Sequence, residues 1–292
     1  MKRVLVALAL LVLSAHLVAG TQSASNRFDL VETSIPAIQQ AIDDNVITDV
    51  QLVQMYLARI AAYDPMSTTA HLNAYIHMNE NALQEAQQAD KARAEGHQKL
   101  VLNGIPMILK DNLDTKTMPT TAGSVAFEGS VPQSDSFVAK KLLAAGAVIL
   151  GKGTLTEFAN FLTNGMPSGY SSLGGYGYNP YDPRPDPRIA LDGFGRPLND
   201  GRPALTPGGS SSGPGIAVAA NLAAVGIGTE TSGSILSPGT ANMLVGIKPT
   251  VGLVSRDGII PIAADQDTAG PLARTVRDAA IVLGVIAGFD PP

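Results

Sequence analysis

Apolar and polar positions along the chain predict an alternation of helices and strands. Between Ile35 and Ala62 apolar residues recur at helical spacing, and Thr48 with Asp49 is a typical start for a helix from Val50 to Tyr63. The Ala- and Gln-rich segment from Asn79 to Gly96 predicts a second helical region, which we expect to pack over one side of the fold.

The later part of the chain continues this alternation. The predicted segments are a strand at Ile105 to Leu109, a helix at Ser136 to Ala145, a strand at Ala147 to Leu150, an apolar helix at Ile216 to Val225 and a helix at Val276 to Ala287. Together they favour an α/β sheet with helices on its faces.

Residues 179–207 differ from their surroundings. They are rich in Pro, Gly, Arg and Asp and show no period, which predicts a long surface loop inserted into the domain. Because the loop precedes a serine cluster, we expect it to border the substrate entrance and to influence substrate choice. A passive insertion is the alternative.

The first residues have the pattern of a signal peptide. Lys2 and Arg3 precede an apolar run from Val4 to Leu13, and small residues follow. We expect a signal peptide over residues 1–20, cleaved after Gly20 or else after Ala24, and export to the periplasm or the cell exterior. An uncleaved anchor is the alternative, but the run is short for a membrane span, so no stable membrane association is expected after cleavage.

Composition favours an enzyme over a nucleic-acid-binding protein. The net charge is −5, and the sequence contains neither a basic run nor an aromatic stacking platform. With 45% hydrophobic residues, the 292-residue chain can bury a substantial core. We expect no nucleic-acid partner, and the sequence indicates no oligomeric state.

The candidate chemistry lies in two Ser/Gly clusters between Pro207 and Pro249, a stretch without histidine or cysteine. The four histidines, at positions 16, 71, 77 and 97, lie away from these clusters, and the chain has no cysteine to serve as a nucleophile or a metal ligand. A lysine therefore becomes the candidate base, and Lys110 follows the apolar strand that ends at Leu109. Burial would lower its pKa into a useful range, whereas a surface lysine paired with Asp111 or Asp114 is the alternative.

A series of motifs in a fixed order resembles the amidase signature enzymes, which hydrolyse amides with a Ser-Ser-Lys triad. The motifs are Gly104–Asn112, Thr120-Thr121, Ala145–Ala147, Gly151-Lys152, Glu157-Phe158, Asn179-Pro180, Gly208–Gly213, Gly228–Ile235, Gly246–Thr250, Asp267–Pro271, Arg274 and Asp278. The resemblance implies the fold of that family, a mixed, twisted sheet with helices on both faces. It implies no metal and no organic cofactor.

The same resemblance assigns roles to three residues. It makes Ser234 the nucleophile, Ser210 a bridging serine that follows a cis peptide bond, and Lys110 the base. Ser210 is the first serine after paired glycines and lies 24 residues before Ser234, as in the family. Ser211 and Ser212 are the alternatives, and we expect them to bond the backbone of the loop.

The turn at Thr231, Ser232, Gly233 and Ser234 is expected to supply backbone N–H groups that bind the oxyanion of the tetrahedral intermediate. Three positions near this turn depart from the family pattern. Ser232 replaces a glycine, Leu236 replaces an arginine, and Glu230 replaces an aspartate.

Members of this family usually continue well beyond the length of this sequence. The sequence therefore predicts an amidase signature domain at residues 27–292 that is the N-terminal portion of a secreted bacterial-type amidase, with its C-terminal part missing. The expected substrate is a small carboxamide or a peptide amide. The alternatives are the glutaminase-like subunit of an amidotransferase, which the predicted signal peptide disfavours, and a truncated, catalytically silent chain.

Overall fold

A computed structural model describes residues 27–97, 99–162 and 165–290. The expected signal peptide at residues 1–20 lies outside this part of the chain. The first two helices are α1 (Ile35–Asp43) and α2 (Asp49–Tyr63). Thr48 caps α2 as predicted: its hydroxyl accepts the N–H of Gln51, and the Gln51 side chain accepts the N–H of Thr48.

The central element is a mixed six-stranded sheet. Its strands are β1 (Tyr75–Met78), β2 (Pro106–Lys110), β3 (Val148–Gly153), β6 (Val225–Glu230), β7 (Val245–Gly246) and β8 (Thr268–Ala273), while a separate ribbon consists of β4 (Tyr170–Ser171) and β5 (Gly175–Tyr176). The order across the sheet is β1-β3-β2-β6-β8-β7. Strand β2 is parallel to both β3 and β6, whereas the outer pairs are antiparallel.

Five further helices pack on this sheet and on each other. They are α3 (Ala82–Ala94), α4 (Phe137–Ala144), α5 (Ser212–Ala219), α6 (Leu236–Ala241) and α7 (Val276–Ile286). The fold class expected from the sequence, a mixed α/β sheet with helices on both faces, is confirmed. Apart from end residues, the predictions for α2, α3, α4, α7, β2 and β3 match the structure as well.

The apolar helix predicted at Ile216 to Val225 was wrong in its extent. Helix α5 begins earlier, at Ser212, and ends at Ala219, while Val225 opens β6. Asn221 adopts a positive φ of 57°, a conformation that ends helices, and its side chain bonds to Glu32. Hydrophobic periodicity alone does not separate a buried helix from the buried strand that follows it.

Glycines allow the N-terminal end of α5 to lie very close to the centre of the sheet. A Cβ atom at Gly226 would lie 3.0 Å from Pro214, and one at Gly228 would lie 2.7 Å from the Ser211 hydroxyl. Gly153 on β3 would likewise meet Pro214, at 2.8 Å. The residues that alternate with these glycines on β6, Val225 and Ile227, are fully buried on the opposite face. This close approach places the serine cluster directly over β2 and β6.

Residues 179–207, all within the described part of the chain, form the predicted loop without a helix or a strand. Two isolated bridges join Pro185 to Pro203 and Leu191 to Pro197. Four arginines in the loop pair with nearby aspartates: Arg184 with Asp182, Arg188 with Asp186, Arg196 with Asp192, and Arg202 with Asp192 and Asp200. The loop is therefore held mainly by its own short-range contacts. Among the described residues, no helix is both long and apolar enough to span a membrane.

Candidate active site

Lys110 ends strand β2 in the middle of the sheet and is fully buried. Its Nζ lies 2.7 Å from the Ser210 hydroxyl, 2.9 Å from the Thr229 hydroxyl and 3.2 Å from the Thr229 carbonyl oxygen. The alternative of a surface lysine paired with Asp111 is thus wrong. Asp111 instead lies 3.4 Å from the amine of a second buried lysine, Lys152.

Burial lowers the pKa of Lys110 from its ordinary value of 10.5 to about 7, although the nearby carboxylates of Glu230 and Asp267 act in the opposite direction. A neutral amine has two N–H donors and one lone pair. The Thr229 carbonyl can only accept, whereas the Ser210 hydroxyl can also donate. The surroundings of Lys110 therefore suit a neutral amine that donates to Thr229 and accepts a proton from Ser210.

Ser210 follows a cis peptide bond from Gly209, as the resemblance implied. Its hydroxyl contacts Lys110, whereas the neighbouring serines bond to the backbone. The Ser211 hydroxyl donates to the carbonyl of Thr229 at 3.2 Å and accepts the N–H of the same residue, and the Ser212 hydroxyl lies 3.5 Å from the Thr154 carbonyl. These contacts agree with the expectation that Ser211 and Ser212 are loop hydroxyls.

Ser234 lies in the turn that connects β6 to α6. Together with Ser210 it lines an open cavity of about 300 Å³. The hydroxyls of Ser210 and Ser234 share this cavity but form no hydrogen bond with each other in the described structure. Ser234 also borders a second cavity of about 10 Å³, room for about one water molecule, which Asn112 and Arg256 line on the far side.

The described walls of both cavities lack residues from the loop at 179–207. The wall opposite the serines comes instead from Ala159, Asn160 and Phe161. The loop approaches this wall only through Phe194, whose ring would touch a Cβ atom at Gly165. The expectation that the loop borders the substrate entrance therefore has no support from the cavity lining.

The expected oxyanion turn is partly occupied by a carboxylate. The N–H of Gly233 donates to Oε1 of Glu230 at 2.7 Å, so in this structure Gly233 does not offer the free donor expected from the sequence. The N–H groups of Thr231, Ser232 and Ser234 make no hydrogen bond within the described part of the protein. These three remain the candidate oxyanion donors.

The three departures from the family pattern have different surroundings. Ser232 is exposed and lines the open cavity. Leu236 is 47% exposed, and its N–H donates to Glu230 at 2.9 Å. Glu230 itself is buried. The arginine that usually stands at position 236 therefore has no buried replacement here.

Sequence reasoning missed several polar residues around the base. Thr229 accepts from Lys110, and the Asn112 amide donates to the Thr229 hydroxyl at 3.0 Å. The Thr231 hydroxyl donates to Asp267, which also accepts the N–H groups of Ile262 and Ala263. Because Asn112, Thr229, Thr231 and Asp267 all lie within the quoted motifs, their position in the motifs was the only available signal.

A second buried charged pair lies behind the base. The Lys152 amine donates to the Thr120 hydroxyl at 2.8 Å and pairs with Asp111, and burial lowers the pKa of Lys152. Asp111 also accepts from Thr121, so the pair ties the loop after β2 to β3. His77 on β1 is near this pair, and no cluster of three or more potential metal ligands occurs in the described residues.

Comparison with known proteins adds a family to this geometry. The family model described as Amidase matches residues 51–292. A probable amidase of Arabidopsis thaliana is 43% identical over 97% of this chain and 52% of its own length. The peptide amidase of Stenotrophomonas maltophilia superposes with a TM-score of 0.79 and 47% identity, over 90% of this chain and 50% of its own.

Similarity also extends to the amidotransferases. One component of the glutamyl-tRNA(Gln) amidotransferase of Microcystis aeruginosa is 40% identical over 89% of this chain and 48% of its own length. The chain thus spans about half the length of the relatives it matches.

Proposed function

The chain belongs to the amidase family, and from this premise we propose that it hydrolyses the C–N bond of a carboxamide with Ser234 as nucleophile, Ser210 as bridge and Lys110 as base. The observation that carries the proposal is the 2.7 Å contact between the buried amine of Lys110 and the Ser210 hydroxyl, beside the cavity that Ser234 shares. A lysine in this environment can act as a base near neutral pH.

The proposed reaction moves one proton along the triad in each direction. Neutral Lys110 takes the proton of Ser210, Ser210 takes the proton of Ser234, and the Ser234 oxygen bonds to the amide carbon. When the C–N bond breaks, the proton returns from Lys110 through Ser210 to the departing amine. Water then attacks the acyl-enzyme by the same relay, which releases the carboxylic acid and restores Ser234.

The substrate that we propose is a small carboxamide or a peptide amide. The similarity to a peptide amidase supports this class, and the open cavity of about 300 Å³ at Ser234 offers space for an acyl group of a few heavy atoms or one amino-acid residue. The free N–H groups of Ser232 and Ser234 would bind the carbonyl oxygen as it becomes negative.

The second candidate function is that of the glutaminase-like subunit of an amidotransferase, and the 40% identity to one component of such an enzyme is the observation that favours it. In that role the chain would release ammonia from glutamine for use by partner subunits. Comparing free glutamine with amino-acid and peptide amides as substrates separates the two functions. A strong preference for free glutamine would favour the amidotransferase role.

We further propose that the chain is exported and acts in the periplasm or outside the cell. The basic pair at Lys2 and Arg3, followed by the apolar run from Val4 to Leu13, supports this proposal, and export is incompatible with a reaction on cytoplasmic tRNA. N-terminal sequencing of protein recovered from the exported fraction tests it. A product that retains Met1 and stays in the cytoplasm would contradict export.

The first test of the proposed function is labelling with a fluorophosphonate, which reacts with activated serines. We expect an adduct on Ser234, located by peptide mass spectrometry, and its loss in the Ser234→Ala and Lys110→Ala variants. A folded protein that takes up no label would favour a catalytically silent chain. A label on another serine would contradict the assignment of the nucleophile.

Replacing Ser210 with alanine is expected to lower kcat by about 10²- to 10⁴-fold, because it removes the only hydroxyl between the Lys110 amine and the cavity. Steady-state kinetics with an amide substrate measure the effect. Ser212→Ala is the matched control, since the Ser212 hydroxyl is equally buried and faces the Thr154 carbonyl instead. Equal losses in the two variants would show that the effect is structural.

A further inference from the structure

Glu230, the last residue of β6, has an unusual set of partners. Its side chain is buried beneath the turn that carries Ser234. Oε1 accepts the N–H of Gly233 at 2.7 Å, and Oε2 accepts the N–H groups of Ile235 at 2.7 Å and Leu236 at 2.9 Å. One carboxylate therefore binds backbone N–H groups on both sides of Ser234.

These bonds decide which N–H groups of the turn stay free. Helix α6 starts at Leu236, and Ile235 at its N-cap offers no side-chain hydrogen bond, so Glu230 takes the place of the capping residue. Gly233, Ile235 and Leu236 are thereby occupied, whereas the N–H of Ser234 between them remains free of hydrogen bonds within the described residues. The carboxylate thus fixes the backbone around the nucleophile while leaving its N–H directed elsewhere.

The same carboxylate is one of two negative charges that act on the base. Glu230 reaches Lys110 from β6, and Asp267 does so from the segment before β8, both favouring the charged amine. Asp111, next to Lys110 on its own strand, is paired with Lys152 of β3. The residues of the α5 side that contact Lys110 contribute only the Ser210 hydroxyl. Among the described residues, the charge at position 230 is therefore not duplicated on the other elements packed around the amine, apart from Asp267.

We propose that Glu230 is a positioning residue for the reaction, which orients Ser234 through the backbone N–H groups of the turn and tunes Lys110 through its negative charge. This inference rests on the proposed function. Glu230 does not line either cavity at Ser234, so its action on substrate is indirect. Its loss should then change kcat and the pH profile rather than KM.

Two variants separate the two actions of the carboxylate. Glu230→Gln keeps the shape of the side chain but removes the charge, and its NH₂ group cannot accept an N–H from the turn. Glu230→Asp keeps the charge and shortens the side chain by one methylene group. We expect both to lower kcat by about 100-fold with KM little changed, because the nucleophile is displaced by a fraction of an ångström to about 1 Å.

The pH dependence should differ between the two variants. Without the negative charge, Lys110 loses its proton more readily, so in Glu230→Gln the acidic limb of the kcat/KM profile should move to lower pH. In Glu230→Asp the limb should stay close to that of the parent. A role in local folding alone would lower activity without moving the limb.

The decisive experiment combines this kinetic comparison with an NMR titration of lysine ¹³Cε signals in the parent and both variants, where Lys110→Met identifies the Lys110 signal. We expect the Lys110 titration to move to lower pH in Glu230→Gln and to stay in place in Glu230→Asp. An unchanged titration in Glu230→Gln would overturn the electrostatic role. An unchanged kcat, or a loss confined to KM, would overturn the positioning role.

The titration does not require turnover, so it also separates failure of this inference from failure of the proposed function. A parent chain that binds no fluorophosphonate and hydrolyses no amide would refute the hydrolase, yet the movement of the Lys110 signal would still decide the effect of the charge. If Glu230→Gln does not fold, as judged by circular dichroism, Glu230→Asp alone decides the inference. Its unchanged titration together with a reduced kcat supports it, and parent-like kcat overturns it.

Discussion

Replacing Ser234 with alanine is expected to lower kcat by about 10⁶-fold, the scale on which serine hydrolases lose activity when the nucleophile is removed. The change deletes one hydroxyl from the cavity but keeps the backbone of the turn, including the three N–H groups that donate to Glu230. Binding of substrate should therefore persist while the covalent step is lost. Single-turnover kinetics and trapping of the acyl-enzyme by mass spectrometry check both parts.

Ser232→Ala is the control for this variant, because Ser232 lies in the same turn, lines the same cavity and is more exposed. We expect it to retain kcat within about tenfold, since its contribution to the oxyanion site comes from the backbone and is kept in alanine. Residual turnover in Ser234→Ala above the rate in water by more than about 10⁴-fold would contradict the nucleophile assignment, because the remaining donors cannot supply more.

Replacing Lys110 with methionine is expected to lower kcat by about 10³- to 10⁴-fold and, at the same time, to make the fold more stable at low pH relative to the parent. The catalytic loss follows from removal of the base that contacts Ser210. The gain in stability follows from burial, because the parent must place a cation in a site where the pKa of Lys110 is about 7 instead of 10.5. A methionine of similar length carries no charge.

The sign of this effect is set by proton binding. Below about pH 7 the lysine is protonated in both states, and its charge destabilises the folded state by roughly 5 kcal/mol. Between about pH 7 and 10.5 only the unfolded state holds the proton, so the stability of the parent rises with pH. Above that window the contribution vanishes. The difference in unfolding free energy between Lys110→Met and the parent should therefore fall by about 5 kcal/mol from pH 6 to pH 11.

Urea unfolding of both proteins across this pH range measures the difference, from which other titrating groups largely cancel. Lys116→Met is the matched control: the Lys116 side chain is 62% exposed and lies 3.8 Å from Asp135. We expect neither its activity nor its stability difference to follow the same curve. A difference for Lys110→Met that stays constant with pH would show that the amine is hydrated in the folded protein.

Much of the fold was accessible from the sequence because its signals are local. Thr48 and Ser136 cap their helices through side-chain bonds that depend only on neighbouring residues, and both helices were predicted. The strand that ends at Lys110 was likewise visible as a short apolar run. The boundary between α5 and β6 was not, because the segment is buried on all sides and its side chains carry no period.

The triad residues were found through motif resemblance, whereas their surroundings were not. Nothing in the local sequence indicates that Glu230 binds the N–H of Gly233, or that Asp111 pairs with Lys152 instead of Lys110. The pairing of Asp111 joins strands that are distant in the chain, so it depends on sheet order. The occupied N–H of Gly233 depends on how the turn folds back over β6, and it removes one of the four donors that the turn was expected to provide.

The glycines beneath the serine cluster have a consequence for how this sequence can drift. A single-nucleotide change in a glycine codon adds at least a methyl group, and at Gly226 or Gly228 that group would meet the backbone or hydroxyl of the segment above. The sheet on either side keeps its apolar contacts, so a slight outward shift of α5 is the least costly accommodation. Lineages that accumulate such changes should keep a recognisable fold after the contact between Lys110 and Ser210 has been lost. In this region, silent descendants would therefore carry an intact triad above an altered floor.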